Sequence, residues 1–190
     1  QEENQAMFYG KEAHKVAENY VREDVAIPGR FTYLKPYLNN FKGMEGEKLC
    51  EYEMGLTKDL EPCGFRSENY WWRGIADLII KNQDVAHVVD YKTGKSSRYA
   101  DVKQLEILSV ATFKHFPKVE HIRAGLLFVV AKELISKDYV RSEIPNLMEN
   151  FNFDVERLDM AYKTNVWNPI PNFTCYRYCS VIDCEHNGRE

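Results

Sequence analysis

Two apolar segments joined by a short polar connection constrain the fold of this chain more than any other feature. The first runs from Tyr70 to Ile80 and the second from Val85 to Lys95, and residues 81–84 between them are all polar. Apolar, β-branched runs on either side of a short polar connection predict a β-hairpin. Because both runs are rich in valine or isoleucine, we expect the hairpin to be largely buried.

Charged residues interrupt both strands of the predicted hairpin. Alternation along the second strand places Val88, Asp90 and Lys92 on one face. Asp77 stands among apolar neighbours, where an unpaired carboxylate is costly to bury, so it needs a cation or strong hydrogen-bond donors. Two carboxylates and an amine at the end of a buried hairpin predict a site for a hard divalent cation. The simpler alternative is an ordinary ion pair between Asp90 and Lys92.

Length and composition favour one domain, residues 1–190. The chain has 190 residues, 44% of them hydrophobic, which is enough for a core and too few for two large domains. A net charge of -4 argues against nucleic-acid binding through bulk charge, although a local basic surface is compatible with it. No run is apolar over a bilayer's thickness, and the first five residues are not signal-like. We therefore expect a soluble, cytoplasmic protein without a membrane partner.

The remaining segments alternate between helical and extended patterns. Apolar residues recur at helical spacing over residues 3–23, 33–41, 100–116 and 142–164, which predicts four helices, the last with an interruption near Asn152. Alternating or continuous apolar residues predict strands over residues 48–56, 121–131 and 134–140. Residues 57–69 between the first strand and the hairpin carry loop signals.

The strand over residues 48–56 contains two glutamates close to the hairpin in sequence. Cys50, Tyr52 and Met54 alternate there with Glu51 and Glu53. Either glutamate could approach the predicted cation site. Because alternation divides a strand between two faces, the simpler prediction places Cys50, Tyr52 and Met54 on one side and both glutamates on the solvated side.

A histidine of the first helix is a second candidate for the site. His14 lies at the edge of the predicted buried face, in a stripe with Gly10 and Glu18 at successive fourth positions. A histidine in such a position is more often a hydrogen-bonded boundary residue than a metal ligand.

The segment after Lys92 is basic and rich in turn residues. Gly94-Lys95-Ser96 is similar to the end of a phosphate loop, but Val89 occupies the position at which such a loop requires glycine. Lys95, Arg98 and Lys103 are better suited to contact a phosphodiester backbone, or they are simply solvated. Gln104 could hydrogen-bond a phosphate or a metal-bound water, or face solvent. Tyr70, Trp71 and Trp72 are candidate stacking platforms for bases, although aromatics on a strand more often belong to the core.

Residues 167–190 form a cysteine-rich tail that we expect to pack on the domain. Cys175, Cys179, Cys184 and His186 lie within twelve residues and could supply four ligands to zinc. Their spacing is not that of a standard zinc ribbon. An iron–sulfur cluster that takes its fourth ligand from Cys50 or Cys63, and reduced thiols without a metal, are the alternatives.

The order of these motifs resembles the RecB-like branch of the PD-(D/E)xK nuclease superfamily, which includes CRISPR-associated and phage-encoded nucleases. Four segments carry the resemblance: Gly10-x3-His14-x3-Glu18, Arg73-Gly74-Ile75-Ala76-Asp77, Val89-Asp90-Tyr91-Lys92-Thr93-Gly94, and Gln104 with the helix that follows. The three tail cysteines resemble those of members that bear an iron–sulfur cluster.

The resemblance implies an α/β fold with a mixed central sheet flanked by helices, and a site like that of restriction endonucleases. It implies that His14, Asp77, Asp90 and the backbone carbonyl of Tyr91 surround magnesium or manganese, with Lys92 beside the attacking water and Gln104 positioning the strand. The substrate would be single- or double-stranded DNA in recombination, repair or phage DNA metabolism, in a bacterial or phage-infected cell.

Two alternatives to an independent nuclease remain open from the sequence. A non-catalytic nucleic-acid-binding or assembly module would retain the nuclease fold without activity. A subunit that acts only with a helicase or recombination partner would be inactive alone.

Overall fold

The computed structural model describes residues 5–98 and 100–188, and the chain divides into two compact units. The first unit ends at Met148 and the second begins at Glu149. The predicted helix over residues 3–23 begins partly outside the described residues, and its described part is α1, Gln5–Glu23.

A six-stranded mixed sheet forms the first unit, which confirms the predicted α/β fold with helices flanking a central sheet. Its strands are β1 (Glu47–Leu56), β2 (Pro62–Cys63), β3 (Trp72–Asn82), β4 (Val85–Lys92), β5 (His121–Phe128) and β6 (Glu133–Val140). They lie in the order β2-β1-β3-β4-β5-β6. Among the described strands only β4 and β5 run parallel, because the helix between them returns the chain to the same end of the sheet.

The helices occupy the remaining segments. After α1 comes a 3-10 turn, Gly29–Leu34, followed by α2 (Lys35–Gly43), α3 (Lys103–His115), a second 3-10 turn (Arg141–Glu143), α4 (Ile144–Thr164) and α5 (Phe173–Arg177). The predicted helix over residues 142–164 corresponds to α4. The interruption expected near Asn152 is absent, because α4 is continuous through that position.

Apolar packing against the helices holds the sheet of the first unit in place. On one side α1, the first 3-10 turn and α2 bury Ala13, Ala17, Phe31 and Leu38 against strand residues that include Leu78 and Tyr91. α3 is buried along nine consecutive residues from Leu105 to Phe113. Because these residues cover every face of the helix, α3 is a core element, although Glu106, Ser109 and Thr112 among them are polar.

The predicted hairpin is confirmed as β3 and β4, which pair antiparallel. The connection is shorter than the four polar residues suggest, since Lys81 and Asn82 continue the ladder opposite Ala86 and Val85. Only residues 83 and 84 form the turn, and Gln83 has a positive φ of 56°. Two-residue hairpin turns require such left-handed backbone, which explains the tight reversal.

The second unit comprises most of α4, the segment after it, and α5. Its side chains are largely exposed, including Phe153, Tyr162, Ile170 and Ile182. Within it, Tyr162 and Trp167 form an edge-to-face pair with ring centroids 4.9 Å apart. Across the described residues no helix is long and apolar enough to cross a membrane.

Candidate functional site

The two aspartates of the hairpin lie opposite each other on adjacent strands. Pairing between β3 and β4 is regular up to Leu78, which lies opposite Val89. Asp77 and Asp90 occupy the next position in the same register, where the ladder is no longer hydrogen-bonded. Both side chains are buried, with 9% of Asp77 and 5% of Asp90 exposed. The antiparallel register thus brings two residues thirteen positions apart in sequence to one point of the sheet.

Glu51 extends this pair into a row. On either side of it, Cys50 pairs with Leu78 and Tyr52 pairs with Ala76. Glu51 therefore lies opposite Asp77, and this is the position at which the β1–β3 ladder lacks a pair. Three carboxylates consequently occupy consecutive positions across β1, β3 and β4. We refer to Glu51, Asp77 and Asp90 as the acidic row.

The backbone of Glu51 is left-handed, with φ 48°. Cys50 packs in the cluster formed with α1, whereas the ring of Tyr52 lies 6.1 Å from His115 of α3. The prediction that Cys50, Tyr52 and Met54 share one side is therefore wrong at Cys50, because the unusual φ of Glu51 interrupts the alternation. Glu51 is half-buried, so the prediction of a solvated glutamate is also wrong there, while it is confirmed for the exposed Glu53.

His14 connects α1 to the acidic row. Its Nδ1 lies 3.2 Å from Asp77 Oδ1, and its Nε2 lies 2.9 Å from the carbonyl oxygen of Tyr91. The second oxygen of Asp77 accepts a hydrogen bond of 2.6 Å from the backbone N–H of Tyr91. Both imidazole nitrogens face acceptors, and a neutral imidazole has only one N–H to donate. This environment therefore favours either a protonated His14 or a cation beside it.

Asp90, Lys92 and Gln104 form a closed ring of contacts. Lys92 Nζ lies 2.7 Å from Asp90 Oδ2 and donates to Gln104 Oε1 at 2.9 Å. The amide nitrogen of Gln104 donates in turn to Asp90 Oδ1. Gln104 stands in the first turn of α3, so the helix holds both the acid and the amine in place. Alternation along β4 predicted that Asp90 and Lys92 are neighbours, and the structure adds that Gln104 contacts both.

The titrating groups of the site carry more negative charge than the protein neutralises. Burial raises the pKa of Asp90, and the charge of Asp77 raises it further against the opposing effect of Lys92. Burial and Asp77 also raise the pKa of Glu51. Burial lowers the pKa of His14, but the hydrogen bond and charge of Asp77 outweigh it, so the pKa is raised. Each shift favours an additional positive charge in the site.

The donor set fits a hard divalent cation. Ligand atoms of His14, Glu51 and Asp77 all lie within 4.8 Å of one another, close enough to share one ion. Asp90 is outside that group because Lys92 and Gln104 hold its carboxylate. Its buried Oδ2 nevertheless accepts no hydrogen bond of good geometry from the described residues, so it retains capacity for a ligand. Carboxylates with one imidazole form a typical oxygen-rich set for magnesium or manganese.

An open cleft of about 470 Å³ gives access to this group. His14 and Glu51 line it together with Ile75, and Lys11 and Lys15 of α1 stand along one wall. Because it is lined by both acidic and basic groups, the cleft suits a ligand that carries negative charge and is accompanied by a cation.

The predicted basic residues after β4 lie near the start of α3. Lys95, Arg98 and Lys103 are exposed, and Lys103 is the first residue of that helix. Their role in DNA binding stays a prediction. Trp72, which is half-buried, begins β3, and the exposed Tyr70 and half-buried Trp71 come directly before it.

The cysteines of the tail are all unpaired by disulfides. Cys175, Cys179, Cys184 and His186 are half-buried. Among the residues that the structure describes, His14, Glu51 and Asp77 are the only group of three or more such side chains placed to hold an ion. The tail residues are not brought together in this way, and zinc or an iron–sulfur cluster there stays a prediction.

Comparison with known proteins identifies no family. No family model and no curated protein matches the chain. A solved structure titled "Crystal structure of SSO0001" matches with a TM-score of 0.42 and 18% identity, over 96% of this chain and 81% of that one. Similarity at this level establishes neither a family nor an activity.

Proposed function

We propose that this protein is a magnesium- or manganese-dependent deoxyribonuclease that hydrolyses phosphodiester bonds. The observation that carries the proposal is the acidic row, with His14 at one end and the paired Lys92 and Gln104 at the other. Opposite charges are held at fixed positions, and an open cleft reaches the row at His14 and Glu51, which is an arrangement suited to phosphoryl chemistry.

The residues suited to hold the cation are His14, Glu51 and Asp77, with Asp90 and the Tyr91 carbonyl beside them. Magnesium or manganese, when bound, would neutralise charge on the phosphodiester and increase the acidity of water. The hydrogen bond from the Tyr91 N–H fixes the orientation of Asp77. The carboxylate is therefore preorganised before any ligand arrives.

Lys92 supplies the positive charge that hydrolysis needs beside the acidic row. Its side chain is about one third exposed, so the ammonium can reach a phosphate oxygen from its position next to Asp90. Gln104 positions Lys92, because its amide oxygen accepts a hydrogen bond from Lys92 while its amide nitrogen donates one to Asp90. Electrostatic stabilisation by a fixed donor of this kind typically contributes about 10²- to 10³-fold in rate.

DNA is the proposed substrate because basic residues lie in the cleft beside the acidic row and on the segment after β4, in spite of the net charge of -4. Lys11 and Lys15 line the cleft, and Lys95, Arg98 and Lys103 lie on the segment that leads from β4 into α3. Lysine and arginine contacts to phosphates supply affinity without sequence preference.

Incubation of the purified protein with end-labelled linear and circular DNA, in magnesium or manganese, tests the proposal. We expect digestion that stops on addition of chelator and resumes with excess metal. Lys92→Ala should lower the rate by at least about 10²-fold because it removes a fixed cation at the reacting phosphate. Lys118→Ala, which removes an exposed lysine after α3, is the matched control and should retain activity.

Two results would contradict the proposal. One is undiminished digestion by a purified and folded Lys92→Ala variant. The other is the absence of cleavage of every linear and circular DNA by the wild-type protein in either metal. Cleavage of circular DNA would identify an endonuclease, and cleavage of linear DNA alone would identify an exonuclease.

A further inference from the structure

An arginine near the start of β3 lies close to two aromatic rings. The guanidinium carbon of Arg73 is 4.5 Å from the ring centroid of Tyr70 and 5.2 Å from that of Phe65. Arg73 and Tyr70 are both exposed, and Phe65 is half-buried. The two rings restrict the planar guanidinium to a defined position by cation–π contact while it remains accessible to solvent.

The charge of Arg73 is not neutralised by a carboxylate in the part of the chain that the structure describes. No carboxylate among the described residues forms an ion pair with it, whereas Arg123 pairs with Asp138 and Arg22 pairs with Glu18. Aromatic rings orient a cation without removing its charge. Arg73 is therefore both positioned and available to an anionic ligand.

The strand connects Arg73 directly to the acidic row. Arg73, Ile75 and Asp77 are alternate residues of β3, and Ile75 lines the cleft together with His14 and Glu51. Arg73 and Ile75 continue the regular pairing of β3 with β1, opposite Gly55 and Glu53. At about 3.3 Å per residue, Arg73 lies about 13 Å from Asp77 along the strand. This separation is a few nucleotides of a DNA strand.

We propose that Arg73, Tyr70 and Phe65 form a stacking subsite for an unpaired base of the DNA strand whose backbone reaches the acidic row. The inference rests on the proposed nuclease function and adds a substrate class to it. A guanidinium plane or an aromatic ring stacks only on an uncovered base face, and bases inside a duplex are covered on both faces by their neighbours. The subsite therefore selects single-stranded DNA or a frayed end.

The binding test separates stacking from simple charge attraction. Fluorescence anisotropy in chelator measures affinity for a labelled single strand, the matching duplex, and an abasic strand of equal length. Loss of one base-stacking contact weakens binding by roughly tenfold. We expect that loss for Arg73→Ala and Tyr70→Ala on the single strand, and little change on the abasic strand. Arg73→Lys should also weaken binding, because lysine keeps the charge and lacks the planar group.

Arg123→Ala removes an exposed arginine on β5 and is the control for net charge, and circular dichroism checks that each variant is folded. Full affinity of Arg73→Lys, or an equal loss on normal and abasic strands, would overturn the stacking subsite in favour of charge alone. Absence of single-strand binding by the wild-type protein would overturn it too.

Cleavage assays on the same variants distinguish failure of the subsite from failure of the nuclease proposal. If Arg73→Ala cleaves DNA and binds it with unaltered affinity, only the subsite is refuted. If the protein binds DNA in a base-dependent way and does not cleave it, only the nuclease proposal is refuted.

Discussion

Glu51 is the residue at which sequence-based prediction of the site was incomplete. A glutamate alternating with Cys50 and Tyr52 has the pattern of an exposed position, and the sequence contains no glycine or proline there to indicate irregular backbone. The left-handed φ of Glu51 occurs where the pairing of β1 with β3 places this residue opposite Asp77. The sequence of β1 alone does not contain this information. Strained backbone in a non-glycine residue persists where the surroundings impose it, and such positions concentrate at functional sites.

Replacement of Glu51 by two small residues tests whether its backbone is strained. Glu51→Gly should be more stable than Glu51→Ala by about 1 kcal/mol, because a left-handed backbone is sterically unfavourable for alanine and not for glycine. Both variants lose the carboxylate equally, so this difference isolates the backbone. Urea denaturation in chelator measures both free energies of unfolding.

Glu53 supplies the matched control for that comparison. It lies two residues further along the same strand, with ordinary backbone. Glu53→Gly should be less stable than Glu53→Ala, since glycine weakens a regular strand. An identical order of stability at both positions would show that the backbone of Glu51 is not strained.

At the scale of the elements, the sequence predicted the hairpin, the strands and the helices well, because apolar periodicity determines them locally. The sequence could not indicate which side chains form hydrogen bonds to the ends of distant elements. Arg141 shows this: its guanidinium donates to the carbonyl oxygens of Phe113, at 2.9 Å, and Phe116, at 2.8 Å, and also to Val119. These carbonyls belong to the end of α3 and the loop after it, far from Arg141 in sequence.

Removal of Arg141 should therefore destabilise the first unit through α3. Arg141→Ala leaves several partly buried carbonyls without their donor, and we expect a loss of about 2–3 kcal/mol in the free energy of unfolding. Arg123→Ala, which breaks an exposed pair with Asp138, should have little effect. Chemical denaturation of both variants provides the measurement, and equal stability of the two would contradict this role for Arg141.

At the scale of the whole molecule, the candidate site depends on contacts between elements that are distant in sequence. Asp77, Asp90, Lys92 and Gln104 could be assigned from short motifs because the hairpin and the helix after it are local. Glu51 could not, because its place is set by pairing of β1 with β3. For the tail cysteines, spacing alone suggested a metal site, and spacing does not determine whether thiols converge in space.

A cation bound by His14, Glu51 and Asp77 would connect α1, β1 and β3, so it should stabilise the folded protein. At a manganese concentration 100 times the dissociation constant, the gain is about 2.7 kcal/mol and the melting temperature rises with metal concentration. Asp77→Asn should abolish this rise, whereas Asp59→Asn, at an exposed loop position, should preserve it. Thermal unfolding across a manganese titration measures the effect, and an unchanged melting temperature for the wild-type protein would argue against the site.

The placement of Glu51, Asp77 and Asp90 at one level of three neighbouring strands has a consequence for engineering. Their separation across the sheet is set by the regular ladders that adjoin this level, which keep neighbouring strands about 4.8 Å apart. At this spacing, carboxylate side chains on neighbouring strands are long enough for their oxygens to reach one ion. An unrelated antiparallel scaffold, given acids at matching positions of two adjacent strands, one left-handed residue and a histidine on a covering helix, becomes a rational host for the same chelating geometry.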